Sequence, residues 1–298
     1  MYKLIQHKLG FFQVDPMPGE KELQAYYSNK YFQSPTVATY SRSYSDEELN
    51  LTKIACEVAD NVFRRNSTNT SHTLYDVGCG EGYFMDGLQK LGWHVWGTDY
   101  SEEGVRNHNP HLADSVSYLA AIDDIILKNK SGSRFSLVNL GNILEHVIDP
   151  IAFINHAKKL LDAKGLLRIV VPNDHSDFQL MLKGLGLSND EWFYPPDHLS
   201  YFNCDSLKAF LNYVELDPIK AFGDFPIEIF LLNRHSNYYL NKENGREAHF
   251  ARIKTVNFIR QKGLDTYMKW AESLAISNLS RSCIVFCKPP DIGEQNSQ

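Results

Sequence analysis

The chain predicts an α/β fold, a mostly parallel sheet with helices on both faces. Short apolar runs alternate with helical patterns from Thr73 onward, the runs are nearly continuous in character, and the first two end in acidic or glycine residues. Leu74–Val77 reads as a first strand, Val95–Asp99 as a second and Val116–Ala120 as a weaker third. Phe135–Leu140 is a fourth and Leu166–Val171 a fifth. Helical patterns at Tyr83–Leu91, Glu102–Asn107, Ile122–Lys128 and Pro150–Leu161 separate them. After a helix at Ser206–Asn212, Ile219–Phe222 reads as a sixth strand, and Cys283–Phe286 as the last, pairing with it.

That leaves residues 224–280 between the last two strands, too long for a hairpin turn, and the stretch is read as a helical lid or dimerisation insertion. A homodimer is therefore among the expected assemblies. Residues 1–70 are read as a helical and aromatic extension. Within it, Asp15–Gly19 is turn chemistry and Glu20–Tyr27 a short helix, while Tyr26, Tyr27, Tyr31, Phe32 and Tyr40 are candidates to pack over the core or, as the alternative, to line a substrate pocket. Asp46–Phe63 is an amphipathic helix with Leu49, Ile54, Val58 and Val62 inward. Residues 71–223 form the core, 281–290 its last strand, and 291–298 a disordered tail.

Composition narrows the function. A chain of 298 residues with 43% hydrophobic and 22% charged residues is long enough to bury a substantial core. A net charge of -6 argues against a partner that must have its phosphates neutralised, so no nucleic acid is expected. The five cysteines Cys56, Cys79, Cys204, Cys283 and Cys287 have neither zinc-site spacing nor an even count. Cys283 and Cys287 fall on one face of the last strand and are read as buried thiols. No apolar h-region or membrane-length run stands out, so a cytoplasmic protein without a signal peptide or membrane span is expected.

The first strand runs through Asp76 into Gly78-Cys79-Gly80-Glu81-Gly82 before a helix begins. Glycines there permit a tight turn and close approach of a ligand to the main chain, and free amides at a helix start favour negative charge. The dinucleotide fingerprint wants a further glycine where Tyr83 stands, which weakens a dehydrogenase reading. Asp99 ends the second strand, where a carboxylate can accept both hydroxyls of a ribose.

Taken together, Tyr75–Phe84, Gly97–Ser101, Asn142–Pro150 and Gly165–Asn173 resemble, in order and spacing, four motifs of class I S-adenosylmethionine-dependent methyltransferases of the ubiquinone-biosynthesis-like branch. The resemblance covers about residues 73–220 and implies a Rossmann-like seven-stranded sheet with S-adenosyl-L-methionine as cofactor. It further implies that Asp76, Gly78, Cys79, Gly80 and Gly82 lie against the methionine part. Asp99 would hold the ribose, with Tyr100, Ala121 and Ile122 at the adenine, Asp123 in reserve, and Asn142 near the sulfonium.

Methyl transfer is an in-line displacement, and a hydroxyl acceptor benefits from a positioned base. His146 after the fourth strand and His198 in Pro195-Pro196-Asp197-His198 are the candidate bases, with His175 a third. The resemblance also implies that some relatives in this branch use acids near the strand-four histidine for a metal. This chain has Glu145 but Asn142 where a further acid would help, and no metal is expected. Trp192, Phe193 and Tyr194 could bind a sugar face or a planar ring. The run Asp224–Asn233 with Ser236-Asn237-Tyr238 resembles, more narrowly, methyltransferases of surface-polysaccharide and nucleotide-sugar pathways; there Arg246, His249 and Arg252 could meet an acceptor's phosphate or carboxylate. The acceptor so implied is a small sugar derivative, with an amine, a quinone-type phenol and a catalytically silent cofactor-binding subunit as the competing readings.

Overall fold

A computed structural model describes residues 2–23, 25–26, 43–189 and 193–290. Tyr27, Tyr31, Phe32, Tyr40, Trp192 and the tail 291–298 lie outside the described residues.

The main sheet has seven strands: β3 (Thr73–Val77), β4 (His94–Asp99), β5 (Val116–Tyr118), β6 (Phe135–Gly141), β7 (Leu161–Pro172), β9 (Asp217–Gly223) and β10 (Ser282–Lys288). Their order is β5-β4-β3-β6-β7-β10-β9. The pairs among β3 to β7 are parallel, whereas β10 runs antiparallel to both β7 and β9. The chain therefore winds outward from β3 to one edge, then returns beside β3 and winds to the other. That reversal opens a crevice at the carboxyl ends of β3 and β6.

Strand alternation sorts the core into two faces. On β3, Tyr75 and Val77 join one cluster with Val138, Leu140, Ile169, Cys283 and Cys287, while Leu74 joins another with Leu137, Leu166 and Phe286. Cys283 and Cys287 are thus on one face and buried, as strand alternation requires. Helix α1 (Asp46–Asn66) closes the second face with Ile54, Val58, Ala59, Val62 and Phe63, and Leu49 is only half-buried. A capping box starts it: Glu48 N donates to Ser45 Oγ, and Ser45 N donates to Glu48 Oε2 at 2.8 Å.

Helices α2 (Tyr83–Lys90), α3 (Glu103–His108), α4 (Ala121–Lys130) and α5 (Pro150–Ala157) follow β3 to β6 in turn. The expected single helix over Pro150–Leu161 stops at Ala157, and a 3-10 turn leads straight into β7, which begins five residues before the expected Leu166. Helix α6 (Asp177–Gly184) and α7 (Cys204–Tyr213) flank the loop after β7. In the insertion, α8 (Asn244–Gln261) and α9 (Leu264–Ile276) pack against α1 and β9 and give Val256, Met268 and Ala271 to the second cluster. They are a layer of the fold, tied to α1 by Arg260–Glu57 at 2.8 Å. No helix among the described residues is long and apolar enough to cross a membrane.

The extension opens on a hairpin that local pattern did not reveal, β1 (Lys3–Gln6) and β2 (Phe12–Asp15), and helix follows at residues 20–23 and 25–26, where Glu20–Tyr27 was expected to be helical. Strand β2 pairs with β8 (Ser200–Tyr201), so the hairpin braces the segment that contains His198. Val14 N donates to Leu199 O at 3.0 Å, and Val14, Leu23, Leu199 and Tyr201 bury one another.

Candidate active site

The glycine turn begins where β3 ends. Gly78, Gly80 and Gly82 all have positive φ, at 67°, 57° and 78°. At Gly78 the constraint is also steric, because a Cβ would lie 2.1 Å from Ile143 Cδ1. The turn is stitched to β4: Gly78 N and Cys79 N both donate to Thr98 O, and Gly80 N donates to Asp99 Oδ2 at 2.8 Å. Asp99 Oδ1 takes Ser101 N at 3.0 Å. Each carboxylate oxygen has a second lone pair, so Asp99 can hold the turn and still accept two hydroxyls. Burial raises the Asp99 carboxyl, and the amides of Ser101, Gly80 and Tyr100 pull it back.

Tyr100 beside it is exposed, and Ala121 and Ile122 are half-buried at the start of α4. Asp123 is exposed, and its neighbour Asp124 is taken by the Tyr75 hydroxyl at 2.6 Å. Asn142 sits at φ 55°, its amide donating to Val170 O at 3.0 Å, which ties the end of β6 to β7. A carboxylate at a strand tip, an exposed aromatic ring beside it and a glycine turn under it suit an adenosine with a charged tail.

Asp76 is 2% exposed and accepts from Asn139 Nδ2 at 2.6 Å, while Asn139 Oδ1 accepts from Arg168 Nη1 at 2.7 Å. Burial pushes the Asp76 carboxyl up to about 7, against the pull of Asn139 and Arg168. Neither Asn139 nor Arg168 stands out by local pattern, although an arginine inside the apolar run Leu166–Val171 is a readable signal.

After β6, the structure brings His146 and His198 together, their rings 4.8 Å apart and edge-to-face. His146 is the last residue of a 3-10 turn after β6, with its amide donating to Ile143 O. Its Nδ1 lies 2.7 Å from Asp197 O and 3.5 Å from Asp197 Oδ1. A carbonyl can only accept, so the proton belongs on Nδ1 and the basic lone pair on Nε2. Glu145, Leu199 and β8 lock this pairing, because Leu199 N donates to Glu145 O at 2.7 Å. Glu145 is 1% exposed; burial pushes its carboxyl up to about 8, and its Oε2 has no hydrogen-bond partner among the described residues. Ligand atoms of Glu145, His146 and His198 lie within 4.8 Å of one another, the one such group among the described residues. The donor set could take a divalent cation, so the expectation of no metal is open at this site.

His175, the third candidate, packs against the Phe12 ring at 4.9 Å, and its amide donates to Gln179 Oε1. Beyond β7 stands a group that sequence reasoning missed: Asp174 and Glu228, both 2% exposed, flank Arg281 Nη1 at 3.4 Å each. Burial raises Asp174 to about 6, with Arg281 opposing it. Only the fold reveals this group, since the three side chains come from three distant segments. Of the candidate anion clamp, His249 meets Glu48 at 3.2 Å, Arg252 Nη2 lies 3.4 Å from His249 Nδ1, and Arg246 lies over the Phe250 ring. Cavities of about 290 and 400 Å³ lie elsewhere, one lined by Val62, Lys220 and Met268 and the other by Trp93 and Trp96; neither contains a residue of this edge.

Comparison with known proteins identifies the family. The family model described as methyltransferase domain matches residues 51–220, more than half of the chain. The ubiquinone biosynthesis O-methyltransferase of Caulobacter sp. (strain K31) is 31% identical over 156 residues, 50% of this chain and 61% of that protein. Its namesake in Coxiella burnetii (strain RSA 493 / Nine Mile phase I) is 34% identical over 99 residues, covering 32% and 41%. The chain thus spans less than two thirds of these relatives. The plantazolicin methyltransferase BpumL, solved with a triazolic desmethylPZN analog and SAH, superposes with a TM-score of 0.52 at 14% identity, covering 90% of this chain and 98% of that one; at such identity the likeness shows the fold alone. With the sheet order, the glycine turn and the family match in agreement, the chain belongs to the methyltransferase domain family, as a class I S-adenosylmethionine-dependent methyltransferase.

Proposed function

We propose that the chain methylates a hydroxyl of a small polar acceptor, a sugar or nucleotide sugar first, with His146 and His198 handling the hydroxyl proton. What supports this reading is the histidine pair at 4.8 Å after β6, with one tautomer set by Asp197. Gly78, Cys79, Gly80 and Gly82 would lie along the amino-acid part of the cofactor above Asp76. Asp99 would hold its ribose, with Tyr100, Ala121 and Ile122 around the base and Asn142 near the reacting end. S-adenosylmethionine, when bound, supplies a methyl group on a sulfonium, and the chain's own work is alignment and proton removal. His146 Nε2 would receive the proton, with Asp197 O holding the ring's own proton on Nδ1.

A second reading, methylation of a quinone-type phenol, is favoured by the relatives' name. Turnover assays with S-adenosylmethionine on a sugar panel and a catechol panel, with and without EDTA, separate these readings. Sugar turnover that survives chelation and drops at least about tenfold in His146→Ala and His198→Ala is the expected result. Turnover of catechols alone would replace the sugar acceptor, and full activity in both variants would remove the histidines from proton transfer. Activity lost to EDTA and restored by a divalent ion would instead give Glu145, His146 and His198 a cation-binding role.

A further inference from the structure

We infer that Arg168 is a positioning residue for the cofactor site, acting through Asn139 to orient Asp76 and keep its carboxylate an acceptor at the foot of the glycine turn. The inference rests on the reading above that Asp76 belongs to that site.

The three residues form one row across the sheet. Asp76 is registered opposite Asn139, Asn139 opposite Arg168, and Arg168 opposite Phe286 on β10; Gly97 extends the row on β4. Cross-strand neighbours share a face, and here that face is otherwise apolar, with Leu74, Leu137, Leu166 and Phe286 in its cluster. Asp76, Asn139 and Arg168 are 2%, 4% and 7% exposed.

The direction of the relay follows from donor chemistry. A guanidinium only donates, so the amide oxygen of Asn139 must face it. The amide nitrogen then faces Asp76, 2.6 Å away, and that bond needs an acceptor. A flipped Asn139 would set NH2 against guanidinium and oxygen against carboxylate, two repulsive contacts. Room for the relay is made by Gly141, where a Cβ would come within 3.2 Å of Asn139 Nδ2. The guanidinium also lies 4.9 Å from the centre of the Phe84 ring, and Phe84 is the second residue of the helix that leaves the glycine turn. Arg168 is thereby coupled to both ends of the turn.

Packing alone does not call for this residue. A buried charge costs stability unless paired, and a leucine or methionine would fill the same face without that cost. The charge matters to Asp76. Facing that carboxylate are Asn139 from β6, Asp99 from β4, Cys79 from the turn, Cys56 from α1 and Arg168 from β7, with neighbouring Tyr75 on β3 and, behind Arg168, Tyr267 of α9. Burial holds both thiols and both phenols protonated through neutrality. Asp99 opposes ionisation of Asp76, and Arg168 is the cation that offsets it.

The test is calorimetric titration of the full chain with S-adenosylhomocysteine between about pH 6 and pH 9, for wild type, Arg168→Met, Asp76→Asn and the double variant. Wild-type affinity is expected to rise through neutrality and level off. Arg168→Met should bind about tenfold more weakly at pH 7 and recover toward pH 9, because a carboxyl without its cation ionises later. Asp76→Asn should bind weakly with no such pH dependence, and adding Arg168→Met to it should cost nothing further. A folded Arg168→Met with the wild-type profile would overturn the inference, as would a double variant weaker than Asp76→Asn alone. If Arg168→Met does not fold, the comparison of Asp76→Asn with the double variant, which removes both buried charges, decides the matter. Absence of binding by the wild type overturns the cofactor reading as well, whereas failure confined to the variants overturns the role of Arg168 alone.

Discussion

Asp99 and Gly78 show how much of the cofactor turn depends on single atoms. Local pattern favours a ribose-binding role for Asp99 over a turn or cap role, and its carboxylate also holds Gly80 N and Ser101 N. Asp99→Ala therefore removes a ligand acceptor and unties the turn. We expect S-adenosylhomocysteine affinity to fall more than about tenfold and stability to drop by about 1–3 kcal/mol, the usual cost of stranding buried donors. Retained affinity in a titration of the variant would take Asp99 out of the site. Gly78→Ala meets two obstacles, a φ of 67° and Ile143 Cδ1 at 2.1 Å. The left-handed backbone alone costs roughly 1–2 kcal/mol, and displacement of Ile143 next to Asn142 should weaken cofactor binding too. An unchanged Tm and affinity would show that the turn relaxes freely. These residues were legible because a glycine turn followed by a strand-end acid is a local pattern. Arg168 and Asn139 were not, since their meaning arises only when β3, β6 and β7 fall into register.

At the scale of elements, the hairpin β1–β2 and its partner β8 decide where His198 stands. The seven main strands were readable because each is a short apolar run with helical spacing on both sides. The hairpin was not: its strands have four residues each, too few for period-two alternation to show, and its third strand lies far along the chain. The loop that joins them to the site is held by Val14, 1% exposed against Leu199 and Tyr201. Val14→Asp buries a carboxylate in that small cluster and should free the His198 segment while leaving the glycine turn intact. The expected outcome is turnover reduced about tenfold or more with S-adenosylhomocysteine affinity within about twofold of wild type. Equal loss of both would mean that the hairpin supports the whole domain and has no particular tie to the acceptor side. The insertion is a different case, because its helical character was visible while its placement was not. Met268 and Ala271 of α9 complete the core beside Phe222 and Phe286.

Over the whole molecule, buried acids set the dependence of stability on pH. Burial raises Asp76 to about 7 and both Asp174 and Asp224 to about 6, whereas an unfolded chain would ionise them near the ordinary carboxyl range. Between that range and the raised values the folded state binds more protons than the unfolded one. Stability therefore falls as pH rises through this window, the reverse of the behaviour of a salt-bridged surface acid. Glu48 works the other way: the cap at Ser45 and the contact with His249 hold it at about 2, so its contribution is lost only in stronger acid. The two effects act in separate ranges, and the apo protein should be most stable in mild acid, near the ordinary carboxyl range that separates them. We expect its Tm to be several degrees higher near about pH 5.5 than near about pH 8. The cofactor should reverse part of this trend, because a ligand that prefers ionised Asp76 binds better as pH rises and stabilises the fold by mass action. Thermal melts across this range, with and without saturating S-adenosylhomocysteine, test both statements. A Tm that climbs with pH in the apo protein would mean that these carboxyls ionise as they do in water, and that the polar row beneath the glycine turn is better hydrated than its burial implies.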